Sequence, residues 1–308
     1  MLSFRRMETK VGATTTGPAI SMQTVLSIAV DALAYGMVLF VISIGLSVTM
    51  GLMRVVNLAH GAFAMIGGYI ASYAAHDLGM SYAEIVLLAV VGTVIISIPI
   101  ERLLYRRIYG APELTQVLMT IGITFCIIGI ANYVFGPTLK TIPLPGSLQG
   151  SVDLGFRTIG THRIFAIVCG LVVALALWYT IEKTSFGVKL RASVDNASMA
   201  AALGVRTEIV YAVSFAIAVG LAAFGGVVGA ELLPVEPYYA LRYMVTFLVV
   251  VSVGGAGSIS GALLACLVLG CIDTTGRYLM PEYGEFFFYL AVIAIVCVFP
   301  RGFAGRMK

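Results

Sequence analysis

Residues 51–70 read GLMRVVNLAHGAFAMIGGYI, and this stretch decides what kind of bundle the chain can build. It follows residues 22–50, in which Asp31 is the sole charge. Arg54, Asn57 and His60 then stand at the mouth of a second apolar run. If a helix starts near Leu58, Asn57 is its N-cap and His60 its third residue. Both side chains can then satisfy first-turn N–H groups, which are costly to leave bare in lipid. Beyond the cap, Gly61, Ala64, Gly68, Ala71 and Ala75 recur every three or four residues and give a small face for close helix approach. Arg54 falls at the lipid headgroups. A sharper reading is compatible with this one: a broken, polar helix start lines a translocation path, as half-helix ends in membranes point at substrates.

The remaining composition agrees with a membrane setting. Of 308 residues, 60% are hydrophobic and 11% charged, against about 25% charged in soluble domains. Mean hydropathy is +1.01. A polytopic membrane protein is the common class that fits. The net charge of +4 bears on membrane orientation, and no basic run interleaved with aromatics points to nucleic acid. Cys126, Cys169, Cys266, Cys271 and Cys297 lie in apolar runs without a C-x-x-C, so they read as small hydrophobes and not as metal or redox sites. Residues 1–21 hold two arginines but no apolar core. They read as a tail and not as a cleaved signal peptide.

Apolar runs at 22–50, 55–75, 82–104, 114–135, 164–181, 209–233, 243–253, 259–275 and 286–299 predict an all-α polytopic transmembrane helix bundle of eight or nine crossings, with broken or glycine-hinged helices, in a single domain over 22–300. The count turns on GGAGSISG at 254–261, a tight turn between two crossings or a break within one helix. Placing 101–107, the loop 183–208, Arg54 and the tail 301–308 on one side gathers eleven of the nineteen basic residues there, which makes that side cytoplasmic. The Pro- and Gly-rich loop 136–163 is then external. In 183–208, Asp195 or Asn196 can cap a short helix through Leu203, and Gly204 can end it. A simple anchor needs no such helix.

Other polar residues have local explanations. Ser258 and Ser260 can cap the helix after the glycines, whose small face is Gly261, Ala265 and Leu269. The centre of GSISG is Ile259, so the serine-hydrolase elbow is not met. Asp273 and Arg277 can pair four residues apart. Glu101 and Glu182 sit at interfaces where neighbouring long side chains snorkel. Asp31 lies near the outer surface, and Glu231 and Glu236 read as a solvated rim. Thr120 and Thr124 share one helix face, where threonine either lines a path or bonds its own backbone. No P-loop and no dinucleotide fingerprint occur.

NLAHGAFAMIGGYIA (57–71), GVKLRASVDNASMAAALGV (187–205), VSVGGAGSISGALLACLVLG (251–270) and FPRGFAGR (299–306) occur in this order. Together they resemble the membrane permease subunits of branched-chain amino-acid (Liv-type) ABC importers, a family that also serves urea and short amides. The resemblance runs from about 22 to 306. It implies a multi-pass protein of the bacterial inner membrane without enzymatic activity or cofactor. A second permease subunit, usually a different chain, would complete the path. Two cytoplasmic ATPases would power it, and an external solute-binding protein would deliver substrate. Arg191, Asp195, Asn196, Met199, Ala200, Leu203 and Gly204 would form the coupling element. Gly61, Gly68, Gly254, Gly255, Gly257 and Gly261 would serve hinges and packing. Asn57, His60, Thr120 and Thr124 are candidates for the path; no metal site is expected. The family's Asn-Phe-Ala-His-Gly element matches at Asn57, Ala59, His60 and Gly61, with Leu58 in place of Phe. Asp31 stands where the family often has Gly or Ser. The rival from another class is an ion-driven secondary transporter, which places coupling carboxylates at mid-membrane; those stretches are nearly free of Asp and Glu here.

Overall fold

Apolar helices with small-residue faces associate in lipid by close packing, and the computed structural model shows such a bundle. It describes residues 22–153 and 158–304. The tail 1–21, Arg157 and the last residues 305–308, with Arg306 and Lys308, lie outside the described residues. The helices are α1 (Met22–Ser47), α2 (His60–His76), α3 (Tyr82–Ile100), α4 (Arg106–Ile108), α5 (Glu113–Phe135), α6 (Thr161–Trp178), α7 (Ser185–Asp195), α8 (Ala197–Ala202), α9 (Thr207–Val228), α10 (Tyr239–Gly254), α11 (Ile259–Leu279) and α12 (Gly284–Val298). A short antiparallel hairpin, β1 (Ser151–Asp153) with β2 (Thr158–Gly160), pairs Val152 with Ile159 inside the Pro- and Gly-rich loop 136–163.

Contacts between connecting segments define two ends of the bundle. At one end, α7 and α8 form an elbow, Tyr211 bonds Ser193, Arg106 pairs with Glu208, and Phe303 bonds Val253. At the other, Ser72 bonds Thr141, Lys140 bridges to Val235, and His162 meets Glu231. Successive long helices alternate between these ends, so Met22 and Val298 lie at opposite ends. Among the described residues, six stretches are long and apolar enough to cross a membrane: Met22–Gly51, Tyr82–Ile108, Glu113–Phe135, Thr161–Lys183, Thr207–Val228 and Ile259–Leu279. Of the other expected crossings, α2, α10 and α12 have 17, 16 and 15 residues. At 1.5 Å per residue they rise about 26, 24 and 22 Å, short of a hydrocarbon core of about 30 Å.

Small residues set the packing. The helix α2 lies against α9 and α10, where Gly61 meets Ala240, Gly67 meets Ala223 and Gly226 meets the Ala64 carbonyl. Likewise Gly36 of α1 lies against the Cys266 backbone of α11, and Gly270 of α11 against the Ala32 and Gly36 backbone of α1. The glycine-rich joint is a reversal. The α10 C-terminus (Gly254) touches Ala262 near the start of α11, and the far ends of the two helices meet again around Tyr243 and Asp273. Gly51 and Gly302 both press on this turn. The C-terminal segment also caps it, with the Phe303 N–H donating to the Val253 carbonyl at 2.7 Å.

Three helices end at the elbow end in wide, π-type turns: Val48–Leu52 after α1, Glu101–Tyr105 after α3 and Tyr179–Lys183 after α6. In α3 the turn follows Pro99, which lacks the N–H needed to continue the ladder.

Candidate functional site

The chain unwinds where its sequence turns polar. After α1 it reverses at Arg54, a non-glycine residue with φ of 53°, and re-enters the bundle before α2 begins. The break is deep: His60 Nε2 donates to the Ile42 carbonyl at 2.7 Å, about 14 Å along α1 from its Gly51 end at 1.5 Å per residue. Val55, Asn57, Leu58, Ala59 and His60 are all buried. Backbone groups of such a segment need partners inside protein.

The partners come from α5 and from the wide turn after α3. Gln116 Oε1 accepts from the Val56 N–H at 2.8 Å, and Thr120 Oγ1 accepts from the Leu58 N–H at 3.2 Å. Asn57 Oδ1 accepts from the Ala59 N–H at 3.1 Å and from the Tyr105 hydroxyl at 2.6 Å. Helix α2 starts at His60 with Ala59 as its N-cap residue. Asn57 therefore braces the chain before the helix, and His60 is its first residue, tied to α1 and not to its own first turn.

The structure thus brings Asn57, His60 and Thr120 together around one break. The hydroxyl of Thr124 donates to the Thr120 carbonyl at 2.9 Å, back to its own helix. All four side chains are buried within the chain. Gln116 and Tyr105 belong to the same set. Gln116 extends the four-residue register of Thr120 and Thr124, a signal visible in the sequence; Tyr105 had none.

At the elbow end, α7 and α8 are separate helices. Asp195 closes the first, and the expected single helix through Leu203 is therefore six residues, Ala197–Ala202. Asn196 caps it, its side chain accepting from the Met199 N–H at 2.9 Å. Gly204, at φ 84°, ends it. Its N–H donates to Ala201 and that of Val205 to Ala200, at 2.9 and 3.0 Å, the two bonds of a Schellman motif. Arg191 donates to the Ile181 carbonyl at 2.7 Å, fixing α7 to the turn before it. Met199 and Leu203 are 59% and 78% exposed, whereas Ala200 is 3% exposed. The elbow presents two apolar side chains outward from a braced base, and Ala200 belongs to the base.

Glu101 does not stand at a snorkelling interface. It is buried and accepts from the Tyr109 hydroxyl at 2.8 Å. It borders a cleft of about 730 Å³ between the end of α3 and the start of α9, beside the Arg106–Glu208 pair. At the opposite end Asp31 pairs with Arg163, Arg277 Nε donates to Asp273 Oδ2 at 2.9 Å, and Arg242 donates to Glu236 at 2.8 Å. Among the described residues no three His, Cys, Asp or Glu side chains gather as a metal site.

The comparison with known proteins agrees with this architecture. Residues 28–296 match the family model described as the permease component of the branched-chain amino acid transport system. The high-affinity branched-chain amino acid transport system permease protein LivH of Escherichia coli K12 is 28% identical over 281 residues, 86% of this chain and 90% of its own length. BraD of Pseudomonas aeruginosa, named likewise, is 27% identical over 90% of this chain and 94% of its own. The autoinducer 2 import system permease protein LsrC of Salmonella paratyphi B is 31% identical over 52% of this chain and 46% of its own length. No solved structure matches significantly. The chain is a multi-pass membrane protein and belongs to the family of branched-chain amino acid transport permease components.

Proposed function

We propose that the chain is one of two membrane permease subunits of an ATP-driven importer in the bacterial inner membrane, carrying branched-chain amino acids or a related small polar solute such as urea or a short amide. Its partners in this reading are a second permease, most simply a different chain, two cytoplasmic ATPases and an external solute-binding protein. The elbow end faces the cytoplasm, where nine of the described basic residues gather. The three shorter helices α2, α10 and α12 complete crossings with the chain that flanks them.

The observation that carries the reading is the braced elbow with Met199 and Leu203 exposed. An apolar pair held on a capped six-residue helix suits insertion into a groove of a partner ATPase. Closure of the ATPase pair pushes the elbow, and α9, bonded to it through Tyr211 and Ser193, carries the movement into the bundle. ATP shifts the equilibrium only as far as it binds one state more tightly. Asn57, His60 and Thr120 act on the path through the break they hold, and Thr124 stands one turn along α5 from Thr120 on the same face. Because the Val56 and Leu58 N–H groups of the break are paired by side chains of α5, they can exchange partners when that helix moves. Hydrolysis belongs to the partners, and this chain acts without a cofactor.

The test is Met199→Glu with Leu203→Glu in the assembled transporter. Two buried charges in the docking groove should abolish substrate stimulation of ATP hydrolysis, while the solubilised chain melts as before. Undiminished stimulation would overturn the docking role.

A further inference from the structure

At the elbow end, α7 and α9 leave a groove of about 480 Å³ between them, within the range of roughly 300–1,000 Å³ typical of small-molecule sites. Phe186 and Lys189, one turn apart on α7, form one wall. Ile209 and Val213, one turn apart on α9, form the other. The chain entering α9 closes the elbow side with Leu203 and Arg206.

Polarity is graded along this groove. Arg206 stands immediately before α9, and Val213 lies about 10 Å further in at 1.5 Å per residue, on a helix that is one of the membrane-crossing stretches. The headgroup layer on each side of a bilayer is only about 5–8 Å deep. Cations at the rim therefore meet headgroups, while the exposed Val213 side chain meets hydrocarbon. The charge is of one sign: Lys189 and Arg206 line the groove, and no carboxylate does. Both cations are exposed, and neither side chain forms an ion pair or hydrogen bond among the described residues. Glu208, two residues after Arg206, turns to the other face of α9 and pairs with Arg106. Basic pockets between membrane helices suit anionic headgroups.

We infer that the groove holds an anionic phospholipid, its phosphate at Lys189 and Arg206 and one acyl chain along Ile209 and Val213. An acidic protein segment matches the cations but not the apolar length at hydrocarbon depth, and a free phosphate matches the cations alone. Because α7 and Leu203 belong to the elbow, the bound lipid fastens the elbow to α9 beside the bond between Tyr211 and Ser193. The site follows from the membrane crossing of α9 and not from the identity of any solute carried.

The experiment is native mass spectrometry of the full-length chain, released from detergent micelles containing either dioleoylphosphatidylglycerol or dioleoylphosphatidylcholine. Retention of the phosphatidylglycerol in preference to the phosphatidylcholine is expected. Lys189→Gln with Arg206→Gln should weaken that retention about tenfold or more, with unchanged melting. Arg102→Gln with Arg107→Gln removes the same charge from exposed positions outside the groove and should leave retention as it was. Val213→Trp fills the apolar half, keeps both cations and should also weaken retention, and soluble glycerophosphate should not compete. Equal retention of the two lipids overturns the proposal, and equal loss in the two double variants reduces it to general surface charge. Competition by glycerophosphate, or undiminished retention by Val213→Trp, would make the groove a phosphate site without a lipid chain and overturn it too. Cross-linking of Lys189 to an ATPase subunit in the assembled transporter, with no phosphatidylglycerol retained there, would assign the groove to a protein instead.

Discussion

The Tyr105 hydroxyl donates to the Asn57 carboxamide oxygen at 2.6 Å, joining the wide turn after α3 to the unwound lead-in of α2. Both side chains are almost fully buried. The turn follows Pro99, and it delivers Tyr105 inward. Asn57 in turn holds the Ala59 N–H, so the phenol steadies the group that steadies the break. Tyr105→Phe keeps the ring and removes the donor. It is expected to cost about 1 kcal/mol in unfolding of the solubilised chain. Asn57→Ala should cost more, since it strands both the phenol and the Ala59 N–H, and the two changes should be less than additive in a double-mutant cycle.

Thr120 and Thr124 sit four residues apart with unlike partners, and their substitutions separate their roles. Thr120→Val leaves the Leu58 N–H without its acceptor, at an expected cost of about 1–3 kcal/mol. Gln116→Leu does the same to Val56. Thr124→Val removes only a bond back to its own helix, which contributes little. Thermal unfolding should rank Thr124→Val close to the parent and the other two well below it. Equal melting for Thr120→Val and Thr124→Val would dismiss Thr120 as the brace.

Local signals explain what the sequence revealed. Asn196, Ser258 and the Asp273–Arg277 pair act within four residues of themselves, and the break at 53–59 is marked by an abrupt change of polarity. Crossings were legible as long apolar runs, but the count was not. Composition does not say whether 15–17 residues suffice, and Pro99 and the wide turns change where helices end. The partners of the break were also hidden. Tyr105 in ERLLYRR looks like an interfacial aromatic, and only the turn after Pro99 points it inward. Glu101 read as an interface charge because its partner Tyr109 lies beyond a further turn.

Gly204 tests the elbow without touching its exposed side chains. Its φ of 84° costs a side-chain-bearing residue about 1–2 kcal/mol. Gly204→Ala should therefore loosen the helix end, raising hydrogen exchange at the Gly204 and Val205 amides, whose bonds to Ala201 and Ala200 close it. Melting of the bundle should barely change, because α8 adds little to the core. In the assembled transporter, coupling of hydrolysis to substrate should fall before hydrolysis itself does. Protection at these amides equal to the parent's would mean the motif does not hold the elbow.

Gly51 and Gly79 separate close approach from backbone conformation. A Cβ on Gly51 would lie 1.9 Å from the Gly257 backbone nitrogen and 2.2 Å from its Cα. No flexible side chain is there to yield; the wide turn after α1 and the α10–α11 reversal would have to part. Gly79 has φ of 62° with nothing within 4 Å of its would-be Cβ, so alanine there meets only conformational cost, about 1 kcal/mol. Gly51→Ala should abolish or severely reduce folded protein, seen as loss of a monodisperse peak on size exclusion, while Gly79→Ala yields normal protein that melts slightly earlier. Comparable behaviour of the two variants would show that the turn is not clamped between Gly51 and Gly302, and that the reversal at 254–261 can separate from α1.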